Sequence, residues 1–185
     1  MSMTMLRACL AIGCMLAPCT APAAPAADLF VGYSQGLWES AKRNEGAKVD
    51  GWNVAATAYP FGGRESRWSL AAEVSGFRGA YQAAGPSVYQ TTFLAGPRFR
   101  TFRRGPFEAN LQVLAGAAHR TASAELSYGE LSPAAALGSN FDFRISRRLT
   151  FRFAPGMYFT NFEPNGSQRN FRASAGLVFR LGRGE

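Results

Sequence analysis

The stretch SNFDFRISRRLTFRFAPGMYF, from Ser139 to Phe159, has a bulky apolar residue at nearly every second position. Strict alternation of this kind indicates β-strands with two unlike faces. A soluble protein would bury the aromatic face, whereas a barrel in a membrane would turn it towards lipid. The apolar series comprises Phe141, Phe143, Ile145, Leu149, Phe151 and Phe153, and the gaps are filled by Asp142, Arg144 and Arg152.

Length and composition describe one folded domain. The chain has 185 residues, of which 47% are hydrophobic and 13% aromatic, with 15 phenylalanines. This content is too high for a disordered chain. No apolar run reaches the roughly 18 to 20 residues that a membrane-spanning helix needs. A helical membrane protein is therefore excluded, whereas a membrane protein built of half-apolar strands is not.

Residues 1–27 are predicted to be a secretory signal peptide. One positive charge, Arg7, precedes a short apolar core from Ala8 to Ala17. Ala24-Pro25-Ala26 fits the cleavage pattern of such leaders, which places the start of the mature chain near Ala27 or Asp28. The predicted domain is then 28–185.

All three cysteines, Cys9, Cys14 and Cys19, lie inside this leader. The mature chain would therefore have neither a disulfide scaffold nor a thiol metal site. One alternative is a lipoprotein, because Leu16-Ala17-Pro18-Cys19 resembles a lipobox. Pro18, however, stands where such a motif has a small Gly, Ala or Ser.

The net charge of the full chain is +8, and removal of the leader with Arg7 lowers it to +7. A basic balance raises nucleic acid as a partner. The arginines are spread singly or in pairs, however, and form no nucleic-acid-binding motif. Export by the leader also separates the chain from nucleic acid, so no nucleic-acid partner is expected.

Eight segments have strand character, each bounded by Gly, Pro, Asn, Ser or charge clusters. Only the Ala-rich region from Leu114 to Leu126 could be argued to be a helix. The segments span roughly 28–39, 49–61, 67–80, 88–102, 106–122, 132–145, 149–162 and 170–182.

The connections between the segments alternate in length. FGGRES, RRG and SRR are predicted tight turns, whereas SAKRNEGAK, YQAAGPS, SAELSYGEL and EPNGSQR are longer. Short periplasmic turns and longer extracellular loops are typical of outer-membrane barrels. We therefore predict an all-β fold: an eight-stranded antiparallel up-and-down transmembrane β-barrel with both termini on the periplasmic side. The sheet must close, since lipid cannot satisfy the backbone groups of an open edge.

The polar faces of the predicted strands carry small residues and charges of both signs. Eight strands enclose a lumen that side chains fill, and charges buried there must pair to offset their desolvation. We therefore predict a plugged lumen, with a solvent-facing sheet surface as the alternative location for the charges. The predicted ion-pair network comprises Glu73, Arg98, Arg100, Glu108, Asp142, Arg144, Arg152 and Arg172.

Aromatic residues near the strand ends are predicted to form girdles at the membrane interfaces. Ordinary core packing is the alternative for each of them. Pro155 predicts a bulge or kink in its strand, because it cannot donate to the ladder. The predicted girdle residues are Trp38, Trp52, Tyr59, Phe61, Trp68, Phe107, Tyr158 and Phe162.

The leader, the eight alternating strands and the turn pattern resemble the small bacterial outer-membrane β-barrel proteins of the OmpA and OmpX type. The last strand, SAGLVFRL from Ser174 to Leu181, is similar to the membrane-insertion signal of that family, with Gly176, Phe179 and Leu181 at its spaced positions. The resemblance implies an outer-membrane location, contact with outer-membrane lipid, and recognition by the barrel assembly machinery. The chain departs from the family pattern by continuing through Gly182–Glu185.

Basic residues on or near the predicted outer loops are placed to meet lipid phosphates, including those of lipopolysaccharide. Solvated loop positions are the alternative. These residues are Lys42, Arg43, Lys48, Arg78 and Arg169.

The only histidine, His119, excludes sites with several histidine ligands. Lipid A deacylases of the outer membrane use a His, Ser and Glu set, and Ser123 and Glu125 follow His119. Thr121, however, replaces the serine that this family has two residues after its histidine. We therefore predict no catalytic residues, no metal and no cofactor.

The expected function is that of a monomeric outer-membrane barrel with a structural, surface-interaction or narrow-channel role. Two alternatives stay open at this point. One is a soluble periplasmic lipocalin-like binding barrel, whose aromatic face would line a cavity. The other is a lipid A-modifying outer-membrane enzyme built around His119.

Overall fold

The computed structural model describes residues 26–39, 46–80, 87–122, 129–163 and 166–182. Residues 1–25 of the predicted leader, with all three cysteines, lie outside the described residues. No helix in the described part of the chain is long and apolar enough to cross a membrane. Within these ranges the structure has one 3-10 turn, Gly63–Glu65, and eight strands. The strands are β1 Ala27–Glu39, β2 Gly46–Ala58, β3 Trp68–Ala80, β4 Ser87–Arg104, β5 Phe107–Ala122, β6 Gly129–Arg144, β7 Leu149–Glu163 and β8 Gly166–Leu181.

The strands form one closed antiparallel barrel in which each strand pairs with its neighbours in the sequence. β8 returns to β1, and their register runs from Ala27 opposite Leu181 to Trp38 opposite Asn170. Closure gives the first and last strands, β1 and β8, a backbone partner on both sides, as a lipid environment requires. The predicted eight-stranded antiparallel up-and-down barrel is therefore confirmed.

The aromatic face of the strands lies on the outside of the barrel. Phe141, Phe143 and Phe153 are exposed on the outer wall, whereas Asp142 and Arg152 between them are buried inside. Alternation along each strand produces this division, because successive side chains point to opposite sides of the sheet. The lipocalin-like alternative required the aromatic face to line the cavity, and the barrel has the reverse arrangement.

Three strands begin three or four residues earlier than predicted: β2 at Gly46, β6 at Gly129 and β8 at Gly166. Their first residues are polar or small, which made them look like loop, but backbone pairing continues through them. The Ala-rich region is strand as far as Ala122, so the helical interpretation of that part was wrong.

The predicted pattern of loop lengths was partly wrong. FGGRES was expected to be a tight turn, but residues 59–67 separate β2 from β3 and include the 3-10 turn. Only residues 164–165 separate β7 from β8, where a long loop was expected. The reason is the same in both cases: pairing, rather than polarity, decides where a strand ends.

Pro155 lies in β7 without the predicted bulge. The register with β6 is the same on both sides of it, from Gly138 opposite Gly156 to Phe141 opposite Phe153, with only the intervening pairs missing. Towards β8, Pro155 pairs opposite Ala173. The absent N–H therefore removes ladder contacts on one side only. Register shifts occur elsewhere, in β4 between Arg100 and Phe102 and in β7 between Thr160 and Glu163.

Three of the predicted girdle aromatics face the interior. Trp38, Tyr158 and Phe162 are buried inside the barrel, so the girdle assignment was wrong for them. Each has the parity of the lumen-facing residues of its own strand, and only its position near a strand end suggested the membrane interface. On the outer surface, by contrast, Trp52, Phe61, Trp68 and Phe107 are exposed.

Candidate functional site

The interior contains a carboxylate held by two arginines. Asp142 on β6 accepts hydrogen bonds from Arg152 Nε at 2.6 Å and Nη2 at 2.8 Å. Arg98, which reaches it from β4, donates from Nη2 at 2.8 Å. Asp142 and Arg152 are directly opposite in the β6–β7 pair, so register alone brings them together. All three side chains are buried.

A second cluster joins opposite parts of the wall across the lumen. Glu73 on β3 accepts from Arg172 on β8, with Nη1 to Oε1 at 2.6 Å and Nη2 to Oε2 at 2.9 Å. Tyr158 donates to the same carboxylate, and the Asn53 amide lies 3.4 Å from it. Since β3 and β8 are not neighbours, this fork-shaped pair spans the interior.

Apolar and small side chains fill the space between the charged clusters. Phe30, Leu94, Leu114 and Val178 are almost completely buried on the inner face. The internal cavity between them and the ion pairs has a volume of about 10 Å³, which is close to the lower limit for one water molecule.

The β2–β3 connection, residues 59–67, folds across the end of the barrel at which β1 begins and β8 ends, called the terminal end below. Arg64 donates from Nε at 3.0 Å and Nη2 at 2.8 Å to Asp28 Oδ1, and from Nη2 to the carbonyls of Ala27 and Leu181 at 2.8 Å. Tyr59 donates to the other Asp28 oxygen at 2.7 Å, and burial raises its pKa.

Two features allow this connection to reach the barrel end. Gly62 and Gly63 have φ of 74° and 64°, a left-handed conformation that glycine adopts without strain. Arg100 then holds the turn by donating to the carbonyls of Arg64 at 2.8 Å and Glu65 at 2.5 Å. The Asp28–Arg64 contact was not predicted, because no local pattern connects residues from different turns and strands.

A recess of about 340 Å³ opens at the terminal end, and we call it the vestibule. Glu65 accepts from Arg103 at 2.9 Å through both oxygens, and this contact holds its pKa below the ordinary value. The vestibule is lined by Tyr59, Arg64, Glu65, Arg103, Glu108, Arg144, Arg147 and Arg180.

The eight residues of the predicted network therefore occupy different places. Five of them form the two interior clusters described above. Arg100 and Glu108 approach each other to 3.8 Å near the vestibule. Arg144 donates to the Gly105 carbonyl at 3.0 Å and has no ion pair among the described residues.

The three residues of the predicted insertion signal lie on two faces of β8. Phe179 and Leu181 are exposed on the outer wall. Gly176 faces inward beside Gly32, and a Cβ at Gly176 would come within 2.2 Å of the Val31 carbonyl oxygen. The glycine therefore allows β1 and β8 to approach closely where the barrel closes.

His119 is exposed on the outer wall of β5, between Thr91 on β4 and Leu131 on β6. Ser123 and Glu125 lie outside the described residues. Among the residues that the structure describes, no three His, Cys, Asp or Glu side chains form a group that could hold a metal ion.

No family model matches the chain, and the comparison with curated proteins found no match. Solved structures are similar. Neisserial surface protein A (NspA) superposes with a TM-score of 0.71 at 10% identity, covering 85% of this chain and 100% of NspA. The attachment invasion locus protein Ail of Yersinia pestis gives 0.59 at 16% identity, covering 85% of this chain and 99% of Ail. At such identities the likeness concerns the fold.

The closed eight-stranded sheet, the apolar outer wall and the charged interior give the chain the fold of the small outer-membrane β-barrels. NspA and Ail share this fold with the chain. The outer-membrane location predicted from the sequence agrees with the fold and with the wall, because aromatic and aliphatic side chains are suited to a lipid environment.

Proposed function

We propose that the chain is a non-catalytic, non-conducting outer-membrane barrel with a structural or surface-interaction role. The observation that carries the proposal is the double salt bridge of Asp142 with Arg98 and Arg152 inside the lumen. Three buried side chains from three strands meet there. A permeating ion would have to break contacts that offset the desolvation of every group involved.

Two further contacts support a closed lumen. The Glu73–Arg172 pair forms a second barrier, and Arg64 covers the terminal end through its bonds to Asp28 and two backbone carbonyls. The cavity beside Phe30, Leu114 and Arg152 has a volume of about 10 Å³, which leaves no room for a hydrated ion. These contacts favour a structural or surface role over a narrow channel.

We propose that the terminal end faces the periplasm, as short turns do in barrels of this class. Two of the three connections at this end, residues 105–106 and 145–148, are short, whereas the third, residues 59–67, is longer and folds across the barrel end. Lys48, Arg78 and Arg169 are then exposed near the extracellular end, where they would meet lipopolysaccharide phosphates. Lys42 and Arg43 lie outside the described residues. Insertion by the barrel assembly machinery, and the monomeric state, belong to the same proposal.

The test is ion flux through reconstituted protein. In planar bilayers the folded chain should give no conductance steps above those of a protein-free membrane. The double variant Glu73→Ala/Arg172→Ala removes one barrier without leaving a lone buried charge, and it should raise leakage. Discrete conductance steps from the unaltered chain would refute the closed lumen.

A separate measurement addresses the enzymatic alternative. We expect cells that express the chain, cells that express His119→Ala and cells with an empty vector to have the same lipid A mass spectrum. The cross-strand neighbours of His119 are Thr91 and Leu131, and neither is the acid that a catalytic histidine needs to orient it. A new lipid A species that depends on His119 would instead establish a lipid-modifying enzyme.

A further inference from the structure

The vestibule carries more positive charge than its own carboxylates balance. Five arginines and two glutamates line it, which leaves a formal excess of three positive charges around about 340 Å³. This volume falls within the range of roughly 300–1,000 Å³ that is usual for small-molecule sites. Like charges held together in one recess repel each other, so the arrangement is stabilised when an anion enters.

Two of the five arginines already have carboxylate partners. Arg64 is bound to Asp28, and Arg103 is bound to Glu65. The other three are Arg144, Arg147 and Arg180. Arg144 donates only to the Gly105 carbonyl, and the side chains of the remaining two make no hydrogen bond or ion pair with the described residues.

The position of Arg180 explains why its charge has no carboxylate partner. It lies directly across from Asp28 in the β1–β8 pair. Both oxygens of the Asp28 carboxylate, however, are already taken: Oδ1 by Arg64 and Oδ2 by Tyr59. The Arg180 Nε is buried without a hydrogen-bond partner among the described residues. The β2–β3 connection thus supplies the Arg64 guanidinium, which occupies the Asp28 carboxylate that would otherwise pair with Arg180.

The register shift in β4 brings a further charge into the recess. In a regular strand, residues three apart point to opposite faces. Because the shift lies between Arg100 and Phe102, Arg103 pairs opposite the inward-facing Glu108 and shares its side of the sheet with Arg100. Bulges often redirect a side chain in this way next to functional sites.

From this geometry we propose that the vestibule is a binding site for a phosphate group, with Arg144, Arg147 and Arg180, which form no salt bridge with the described residues, as its ligands. A guanidinium presents paired N–H donors that match two oxygens of a phosphate. Three such groups suit an anion with at least three acceptor oxygens and more than one negative charge. The recess also leaves space for the organic part of a phosphate ester.

Two sources could supply this group: a soluble phosphomonoester of the periplasm or the headgroup of a membrane phospholipid. The experiment separates them. Folded protein in an uncharged detergent is titrated with glycerol 3-phosphate and with inorganic phosphate at constant ionic strength, and binding is followed by calorimetry and by the Nε–H NMR signals of arginine. The same signals are then compared in nanodiscs of phosphatidylcholine with and without phosphatidylglycerol.

We expect saturable binding in detergent. Arg180→Gln and Arg147→Gln should each weaken it about tenfold or more, the value of a hydrogen bond to a charged group. Arg148→Gln is the matched control, since it removes the same charge from the same turn but does not line the vestibule. It should change the affinity less than about twofold. Retained heat-modifiable migration in SDS gels shows that each variant is folded.

Changes of the Arg147 and Arg180 signals on adding phosphatidylglycerol, with competition against glycerol 3-phosphate, would identify the lipid headgroup as the source. No effect of the lipid would identify the soluble ester. The proposal is overturned if neither form of phosphate binds, or if Arg148→Gln weakens binding as much as Arg180→Gln does. The vestibule lies outside the ion-paired lumen, so this result is independent of the conductance measurement.

Discussion

At the scale of single residues, the ion pairs of the barrel differ in how deeply they are buried. Asp142 forms salt bridges with two arginines, whereas Glu65 at the barrel end pairs with one, and the Glu65 side chain is 67% exposed. A buried ion pair that loses one partner leaves an uncompensated charge in a medium of low dielectric constant. An exposed pair loses little, because water and salt already screen it.

We therefore expect Asp142→Asn to lower the free energy of unfolding by about 3–5 kcal/mol, since it leaves both Arg98 and Arg152 buried without a counter-charge. Urea unfolding in lipid vesicles, followed by tryptophan fluorescence, measures the change. Glu65→Gln is the control, and its cost should stay under about 1 kcal/mol. Equal costs for the two variants would mean that the interior is hydrated.

At the scale of elements, the seam between β1 and β8 depends on small residues facing inward. Gly176→Val would place its side chain against the Val31 carbonyl and Gly32. We expect this variant to lose the SDS-resistant, faster-migrating band of unboiled samples. Ala175→Val, one residue away on the exposed outer face, should keep it. If both variants kept the band, the close approach at the seam would not be needed for closure.

The β2–β3 connection has its own pH dependence. The hydrogen bonds from Arg103 to Glu65, with the positive charge of Arg103, hold the pKa of this carboxyl below its ordinary value of 4.5. A lowered folded pKa means that the stabilisation is present above the unfolded value and is lost as pH falls through the folded one. NMR titration of the Glu65 carboxyl should give a midpoint below 4.5, and Arg103→Gln should move it upward. An unchanged midpoint in the variant would contradict the assignment.

How far the sequence predicts these elements depends on how local the signal is. Phe141 and Asp142 are assigned to their faces by alternation alone, and the fold follows from eight such strands. Alternation also predicts an inward position for Tyr158, which shares the parity of Arg152, but its place near a strand end suggested the membrane interface instead. The contact of Arg64 with Asp28 joins distant segments, and no adjacent Gly or Pro in the sequence marks the register shift near Thr101. Neither could be derived from sequence pattern.

At the scale of the whole molecule, the apolar outer wall determines how a charge is tolerated in water and in lipid. Val113 lies in the middle of β5 and is 55% exposed, whereas Leu131 lies near one end of β6 and is 73% exposed. A wall in water would tolerate a charge at either place. A wall in lipid would tolerate it only near the ends of the strands, where the side chain reaches the interface.

We expect Val113→Arg to cost about 2–4 kcal/mol in a lipid bilayer and Leu131→Arg about 0–1 kcal/mol. Unfolding in vesicles measures both, with heat-modifiable migration as the folding control. Similar small costs for the two variants would contradict a membrane-embedded wall.

The pairing of Ala27 with Leu181 has a consequence for how the chain reaches its final state. β1 cannot acquire its second neighbour until β8 has been synthesised, so the closing contact joins the two ends of the domain. Contacts between such distant residues form slowly. During that delay the apolar wall is in water, where unpaired strands aggregate. The interval before closure, rather than the free energy of the finished barrel, is therefore when this chain is most prone to aggregate.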